Sequence, residues 1–88
     1  MKRSFEIRNA LGLHARAAAQ LVQLAAGFSA DLTIEKDGKS VNGKSIMGVM
    51  MLSATQGSLI EVEAMGTDAE ELLTAIATLI QARFHEDH

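Results

Sequence analysis

A histidine and an arginine stand two residues apart in the segment Gly12-Leu13-His14-Ala15-Arg16, where a loop gives way to a helical pattern. An imidazole is a nucleophile near neutral pH, and a guanidinium offers a fork of N–H donors that fits phosphate oxygens. The start of a helix adds backbone N–H groups without intrahelical partners and the positive end of the helix dipole. These residue types at this spacing predict that His14 carries out chemistry on phosphate or another anion.

A second segment with functional potential is Asn42-Gly43-Lys44-Ser45-Ile46-Met47-Gly48-Val49-Met50. Ser45 is well placed as a helix N-cap, because its hydroxyl can accept a hydrogen bond from an otherwise unpaired backbone N–H. The short helix that follows has more apolar side chains than one core face can use, so we expect some to be exposed. Flexible methionine suits a surface that binds several partners. The side chains considered for this docking role are Ile46, Met47, Met50 and Met51.

Together the two segments resemble the signatures of HPr, the histidine-containing phosphocarrier family of the bacterial phosphoenolpyruvate-dependent sugar phosphotransferase system. The resemblance implies that His14 accepts a phosphoryl group on Nδ1 from enzyme I and passes it to enzyme II A domains. The protein would then be a substrate of its partners and not an autonomous enzyme. Arg16 would clamp the phosphate, with the backbone N–H groups of Arg16 and Ala17 as further donors. Ala17 stands where the family typically has proline.

The resemblance also implies a regulatory role for Ser45. In HPr proteins of many bacteria with this sequence, an ATP-dependent HPr kinase phosphorylates the matching serine and so regulates carbon use. HPr kinase/phosphorylase and a transcriptional regulator would then be further partners. Plainer interpretations stay open, with His14 as a loop histidine, Arg16 as a surface charge, Ser45 as a cap alone and the methionines as core packing.

Two other functions compete with sugar-branch phosphoryl transfer. The first is a regulatory or nitrogen-branch HPr paralogue that acts mainly through partner binding. The second is a ferredoxin-like ligand-binding or RNA-binding module, which is disfavoured because the net charge is −3 and the only aromatic residues are three phenylalanines. A salt-dependent RNA-binding assay would separate this second function from the carrier.

Composition indicates one domain over residues 1–88 that contains 48% hydrophobic and 22% charged residues, as in ordinary globular proteins. The absence of cysteine excludes disulfides and thiolate metal clusters. Neither a signal-peptide pattern nor an apolar run near the ~20 residues of a membrane span is present. We therefore expect a cytoplasmic monomer that binds no nucleic acid, cofactor or metal and does not insert into membranes. His85 and His88 lack a third ligand, so we expect no metal site there.

Hydrophobic periodicity predicts the elements that position the two motifs. Alternation predicts strands over residues 4–8, 31–36, 39–41 and 58–64, with Asp37-Gly38 as the turn of a tight hairpin. Spacings of three and four predict helices from Ala15 to near Gly27, over residues 44–52, and from a Thr67/Glu70 capping box to Phe84. Residues 85–88 are expected to form a frayed tail.

The predicted order βαββαβα belongs to the α+β class. Four half-buried strands must cover one face of their sheet, and three helices can do so in a two-layer, open-faced sandwich. The local pattern leaves the strand order open, and a ferredoxin-like arrangement remains an alternative. Resemblance to HPr implies an antiparallel sheet in the order 1-4-2-3, covered on one face by the three helices.

Overall fold

A computed structural model describes residues 1–86. In these residues, four antiparallel strands and three α-helices follow one another as β1 (Lys2–Glu6), α1 (Ala15–Ala26), β2 (Asp31–Lys36), β3 (Lys39–Asn42), α2 (Ile46–Met51), β4 (Leu59–Met65) and α3 (Ala69–Gln81), before a 3₁₀ turn at Arg83–His85. The strand order is β1-β4-β2-β3. The predicted open-faced α+β sandwich is therefore confirmed, and the ferredoxin-like alternative is not the fold.

The hairpin between β2 and β3 has the predicted turn. Asp37 and Gly38 both adopt left-handed backbone angles, with φ of 52° and 81°, as the tight turn between two antiparallel strands requires. Lys36 pairs directly with Lys39 on either side of it. The register of β2 against β3 therefore follows from two turn residues.

The hydrophobic core lies between the sheet and the helices. Every second residue of β4 points into it, and the predicted stripes of α1 and α3 face it from the other side. These buried residues include Ile60, Val62 and Ala64 of the strand, Ala18, Leu21 and Ala25 of α1, and Leu72, Leu73 and Ile76 of α3. Within the described residues, no helix is both long and apolar enough to cross a membrane.

The first strand lies earlier than the alternation predicts. It ends at Glu6, but Ile7 is still buried and its N–H donates to the Ser58 carbonyl at 2.9 Å. Alternation of side chains continues through Ile7, whereas the ladder with β4 does not. The predicted range 4–8 therefore includes the buried residue Ile7, but the strand itself ends at Glu6.

The N-terminus of α3 differs from the predicted capping box. Its N-cap is Asp68 instead of Thr67, and the Asp68 carboxylate does not cap its own helix. It accepts hydrogen bonds from the backbone N–H groups of Ser29 and Ala30, both at 2.8 Å. The Ser29 bond is the largest influence on the carboxyl group, and the pKa of Asp68 lies below its usual value despite some desolvation. Asp68 therefore joins α3 to the loop before β2.

The end of α3 also corrects a prediction. The helix stops at Gln81, and Phe84 reaches the core from the 3₁₀ turn with 1% of its surface exposed. Phe84 thus belongs to the core but not to the helical stripe.

Candidate functional site

The loop before α1 is pressed against the segment that follows α2. The Leu13 N–H donates to the Ala54 carbonyl at 2.8 Å. Gly12 has a φ of 65°, and a Cβ at this position would lie 2.9 Å from the Thr55 Cα and closer still to the Ala54 carbonyl oxygen. Only glycine fits both the left-handed angle and the close approach. Gly12 therefore fixes where His14 stands.

His14 is the N-cap residue of α1, as predicted. Its backbone is extended, with φ −71° and ψ 178°, but its side chain makes no capping hydrogen bond. The first helical bond runs from the Ala18 N–H to the His14 carbonyl at 2.8 Å. The N–H groups of Ala15, Arg16 and Ala17 have no acceptor within residues 1–86. These three donors and the positive end of the helix dipole thus lie beside the histidine, although the Ala17 N–H belongs to a buried residue.

The two ring nitrogens of His14 have different surroundings. Nε2 lies 3.2 Å from Oε2 of Glu86, whereas Nδ1 has no hydrogen-bond partner in the described part of the chain. About a quarter of the histidine side chain is exposed, against 5% of the Glu86 side chain. An ionised carboxylate can only accept, so Nε2 carries the hydrogen in the neutral ring and Nδ1 carries the lone pair. The nitrogen without a partner in the described residues is therefore the one whose lone pair can act as a nucleophile.

The other two predicted residues of this segment, Arg16 and Ala17, differ in burial. Arg16 is exposed, and its guanidinium has no hydrogen-bond or ion-pair partner among residues 1–86. Ala17 is completely buried. The arginine is therefore free to reach a bound anion, whereas the alanine contributes to packing under the first turn of α1.

The second motif forms the start of α2. The Ser45 hydroxyl accepts a hydrogen bond from the Gly48 N–H at 3.1 Å, as expected of an N-cap. Val49 is fully buried and holds the helix to the core. Four apolar side chains of α2 face outward and are called here the methionine patch: Ile46 (41% exposed), Met47 (71%), Met50 (39%) and Met51 (57%). The helix that carries the patch packs against α1, and Ala54, three residues after Met51, accepts the hydrogen bond from the Leu13 N–H next to His14.

Glu86 is the site residue that the sequence interpretation missed. It was expected in a frayed tail, but its carboxylate is nearly buried and accepts hydrogen bonds from Asn9 Nδ2, from the Leu11 N–H at 3.4 Å and from His14. The prediction of a frayed tail is therefore wrong for Glu86, while positions 87–88 lie outside the described residues. The one local indication that this segment is ordered was Phe84, an apolar residue that could anchor the polar residues after it to the core.

Comparison with known proteins connects this geometry to a family. The model of the PTS HPr component phosphorylation site matches residues 1–82. The phosphocarrier protein HPr of Neisseria meningitidis serogroup A is 46% identical over 86 residues, which cover 98% of this chain and 97% of the relative. The chain belongs to the HPr family. It is thus a phosphocarrier protein of the phosphotransferase system and not a catalyst.

HPr-family relatives include proteins of more than one name. The phosphocarrier protein NPr of Escherichia coli K12 is 40% identical over 88 residues, covering 99% of this chain and 98% of that protein. The crystal structure of HPr-C-His from Thermoanaerobacter tengcongensis superposes with a TM-score of 0.95 at 45% identity, covering 100% of this chain and 99% of that one. The two chains therefore share the HPr fold over the residues that the structure describes.

Proposed function

We propose that His14 carries the phosphoryl group on Nδ1, receiving it from the phosphohistidine of enzyme I and giving it to enzyme II A domains in sugar uptake. The observation that carries this proposal is the open N-cap of α1. A histidine with a free Nδ1 stands beside three backbone N–H groups that have no acceptor within residues 1–86. A phosphoryl group bonded to that nitrogen would lie close to these donors and to the favourable end of the helix dipole.

Arg16 is proposed as the phosphate clamp. Its guanidinium is exposed and one helical residue beyond Ala15, so it can move toward the phosphoryl oxygens and form a forked contact. Charge-assisted hydrogen bonds of this kind stabilise the dianion more than neutral donors do. The backbone N–H groups of Arg16 and Ala17 are proposed as the further donors.

The methionine patch is proposed as the surface on which enzyme I and the enzyme II A domains dock. Exposed apolar side chains on the surface of a small domain favour association, and methionine can adapt to more than one partner. A carrier must bind a donor and an acceptor in turn through one surface next to the same histidine. The patch therefore fits a protein with successive partners.

Regulation through Ser45 is proposed to act on the same surface. Ser45 directly precedes the methionine patch, so phosphorylation by an HPr kinase/phosphorylase would place about two negative charges beside apolar contacts. Ser45→Asp should bind enzyme I roughly tenfold more weakly without loss of stability. Ser40→Asp, which adds the same charge on β3, is the control, and titration calorimetry is the measurement. Equal affinities of the two variants would leave Ser45 as a cap alone.

The test of the carrier function combines the protein with enzyme I and phosphoenolpyruvate. Wild type should gain one phosphate that survives alkali and is lost in acid, as expected of a phosphohistidine. His14→Ala should gain none while its circular dichroism and melting remain native-like, because the side chain lies at the surface. If His14→Ala still gained phosphate, the acceptor would be another residue. If wild type gained none, the result would contradict transfer from this enzyme I.

A nitrogen-branch carrier is the second candidate function. It is favoured by the 40% identity to the phosphocarrier protein NPr over nearly the full length of both chains. The two functions differ in the donor that phosphorylates the protein. Phosphorylation of this protein by sugar-branch enzyme I and by nitrogen-branch enzyme I would be measured separately. The donor with the larger kcat/KM identifies the branch to which the protein belongs.

A further inference from the structure

The chain leaves α3 through an unusual turn that brings Glu86 back to the start of α1. Arg83, Phe84 and His85 adopt φ of 55°, 54° and 59°, a left-handed conformation that non-glycine residues seldom hold. Such a conformation persists only where the surroundings stabilise it. The buried ring of Phe84 supplies one anchor, and the contacts of the Glu86 carboxylate supply the other.

The Glu86 carboxylate is fixed by the loop that precedes His14. Asn9, which is completely buried, donates from Nδ2 both to the Glu86 carboxylate and to the Gly12 carbonyl, the latter at 2.7 Å. The Leu11 N–H points to the other carboxylate oxygen. Asn9 thereby ties Glu86 to the same loop whose glycine sets the position of His14. The positions of the Glu86 carboxylate and the His14 imidazole are therefore both set by the loop that precedes α1.

Glu86 is ionised at neutral pH. Desolvation raises the pKa of this carboxyl group, but hydrogen bonds from Asn9, Leu11 and His14 together outweigh it, so the pKa lies below its usual value. Its contribution to stability is therefore fully present above the ordinary pKa of a glutamate and is lost as the pH falls through the lowered pKa. The other charged side chain next to the histidine, Arg16, is exposed and touches neither group in the described residues.

We infer that Glu86 is a positioning residue for phosphoryl transfer, which holds His14 in the Nε2–H tautomer and turns Nδ1 toward the open end of α1. This inference rests on the proposed transfer at His14 and adds a role for a carboxylate at the opposite ring nitrogen. A carboxylate that accepts from one imidazole nitrogen fixes the tautomer and the orientation of the ring, as in hydrolase triads.

The charge balance of the transfer step gives the carboxylate a second effect. The lone pair of Nδ1 attacks the phosphorus of the donor phosphohistidine, the new N–P bond forms, and the donor's N–P bond breaks. The donor ring, protonated at its other nitrogen, leaves as neutral imidazole. The Nε2 proton stays on His14, so the ring becomes a phosphorylated imidazolium. Its positive charge then faces the Glu86 carboxylate, which stabilises the product and the transition state that leads to it.

The tautomer provides a readout that a merely structural residue would not change. In ¹⁵N NMR spectra at alkaline pH, the wild-type ring should show a protonated Nε2 and an unprotonated Nδ1. Glu86→Ala should show both tautomers in exchange, whereas Glu86→Gln, whose amide oxygen can still accept, should keep most of the Nε2–H form. Glu6→Ala removes an exposed carboxylate at the end of β1 and should leave the spectrum unchanged.

The rate of phosphorylation by enzyme I is the second measurement. Glu86→Ala should slow transfer by roughly 10- to 100-fold, because it loses orientation and charge, and Glu86→Gln should fall between it and wild type. Melting curves establish that both variants are folded. Wild-type tautomer and wild-type rate in Glu86→Ala would overturn the inference. If enzyme I fails to phosphorylate even wild type, the proposed donor is wrong, and the tautomer spectra still decide whether Glu86 positions the ring.

Discussion

The helices α1 and α2 begin in opposite ways, although each has a hydrogen-bonding side chain at its N-cap. At α2, the Ser45 hydroxyl accepts the Gly48 N–H and satisfies its own helix. At α1, the His14 backbone has the extended angles of a cap, but its ring contacts Glu86 instead. The start of α2 is capped within the protein, whereas the start of α1 keeps N–H groups that have no acceptor within residues 1–86. A backbone N–H group at a helix start can donate to the N-cap side chain or to a bound anion, but not fully to both at once.

This difference has a cost in stability. A capping side chain is worth about 1 kcal/mol compared with alanine at the same position, so α1 gives up about that much to keep three donors free. Its neighbour α2, which is only six residues long, depends more on its cap. The two helices therefore differ in whether a side chain caps their N-terminus.

Exchanging the cap at α1 gives the largest expected effect. His14→Ser should abolish phosphorylation by enzyme I, since the nucleophile is gone, and yet it should be about 1 kcal/mol more stable than His14→Ala, because serine can cap the free N–H groups. Both variants lose the contact with Glu86, so their difference isolates the cap. Urea unfolding and phosphate incorporation are the measurements. Equal stability of the two variants would mean that the free donors at α1 are not available to a side chain.

Removing the cationic side chain at the open helix start should have the next largest effect. Arg16→Ala should reduce the rate of transfer by roughly 10- to 100-fold and leave some activity, because it removes an electrostatic contact and not the nucleophile. Arg16→Lys should recover only part of the rate, since lysine lacks the fork. Arg3→Ala, an exposed arginine of β1, is the control. Rapid-quench assays with enzyme I would show the difference, and equal rates for Arg16→Ala and Arg3→Ala would exclude the clamp.

Removing the cap at the start of α2 should change the stability of the protein and not its phosphorylation. Ser45→Ala removes the bond from Gly48 and should cost about 1 kcal/mol, whereas Ser45→Asp should be at least as stable as wild type, because a carboxylate can cap and suits the helix dipole. Transfer to the histidine by saturating enzyme I should be unaffected in Ser45→Ala. Chemical denaturation measures the cost. A loss of less than a few tenths of a kcal/mol would show that Val49 packing, not the cap, holds α2.

The smallest effect is expected at Ala17, where the HPr family typically has proline. Ala17→Pro should raise stability by about 0.4 to 1 kcal/mol, because it restricts the unfolded chain and removes an N–H that has no acceptor within residues 1–86. The same change should shorten the lifetime of the phosphohistidine if that N–H donates to the phosphate. Calorimetry and the decay of the phosphorylated protein at neutral pH test the two parts separately. A lifetime as long as that of wild type would contradict the donor role of Ala17.

Local sequence signals predict the parts of this molecule that short segments determine. The turn Asp37-Gly38 fixes its own hairpin, and Ser45 caps the helix that follows it. The position of His14 at a helix start likewise follows from neighbouring residues. The predicted capping box at α3 failed because the Asp68 carboxylate finds two N–H groups in a loop 38 and 39 residues away along the chain. A distant pair of donors overrides the local pattern there.

The role of Glu86 could not be predicted for the same reason. No periodicity marks a single carboxylate beyond the end of a helix, and its placement depends on a left-handed turn at three non-glycine residues, which sequence propensity opposes. Burial of Phe84 makes that turn possible, yet the apolar pattern could not show that the ring leaves the helix before it enters the core. The position of His14 at a helix start was therefore predictable, whereas its contact with Glu86 required the tertiary structure.

The contact between His14 and Glu86 joins positions 72 residues apart, and the bond from Asn9 spans 77. Contacts of such long sequence separation form slowly compared with helices and hairpins. We therefore expect the pairing of histidine and carboxylate to be among the last events of folding. A chain whose sheet and helices have formed, but whose final turn has not docked, would present the histidine without the carboxylate that orients it. The capacity to accept phosphate at full rate would then be a kinetic marker of completed folding, acquired after the chain has already become compact.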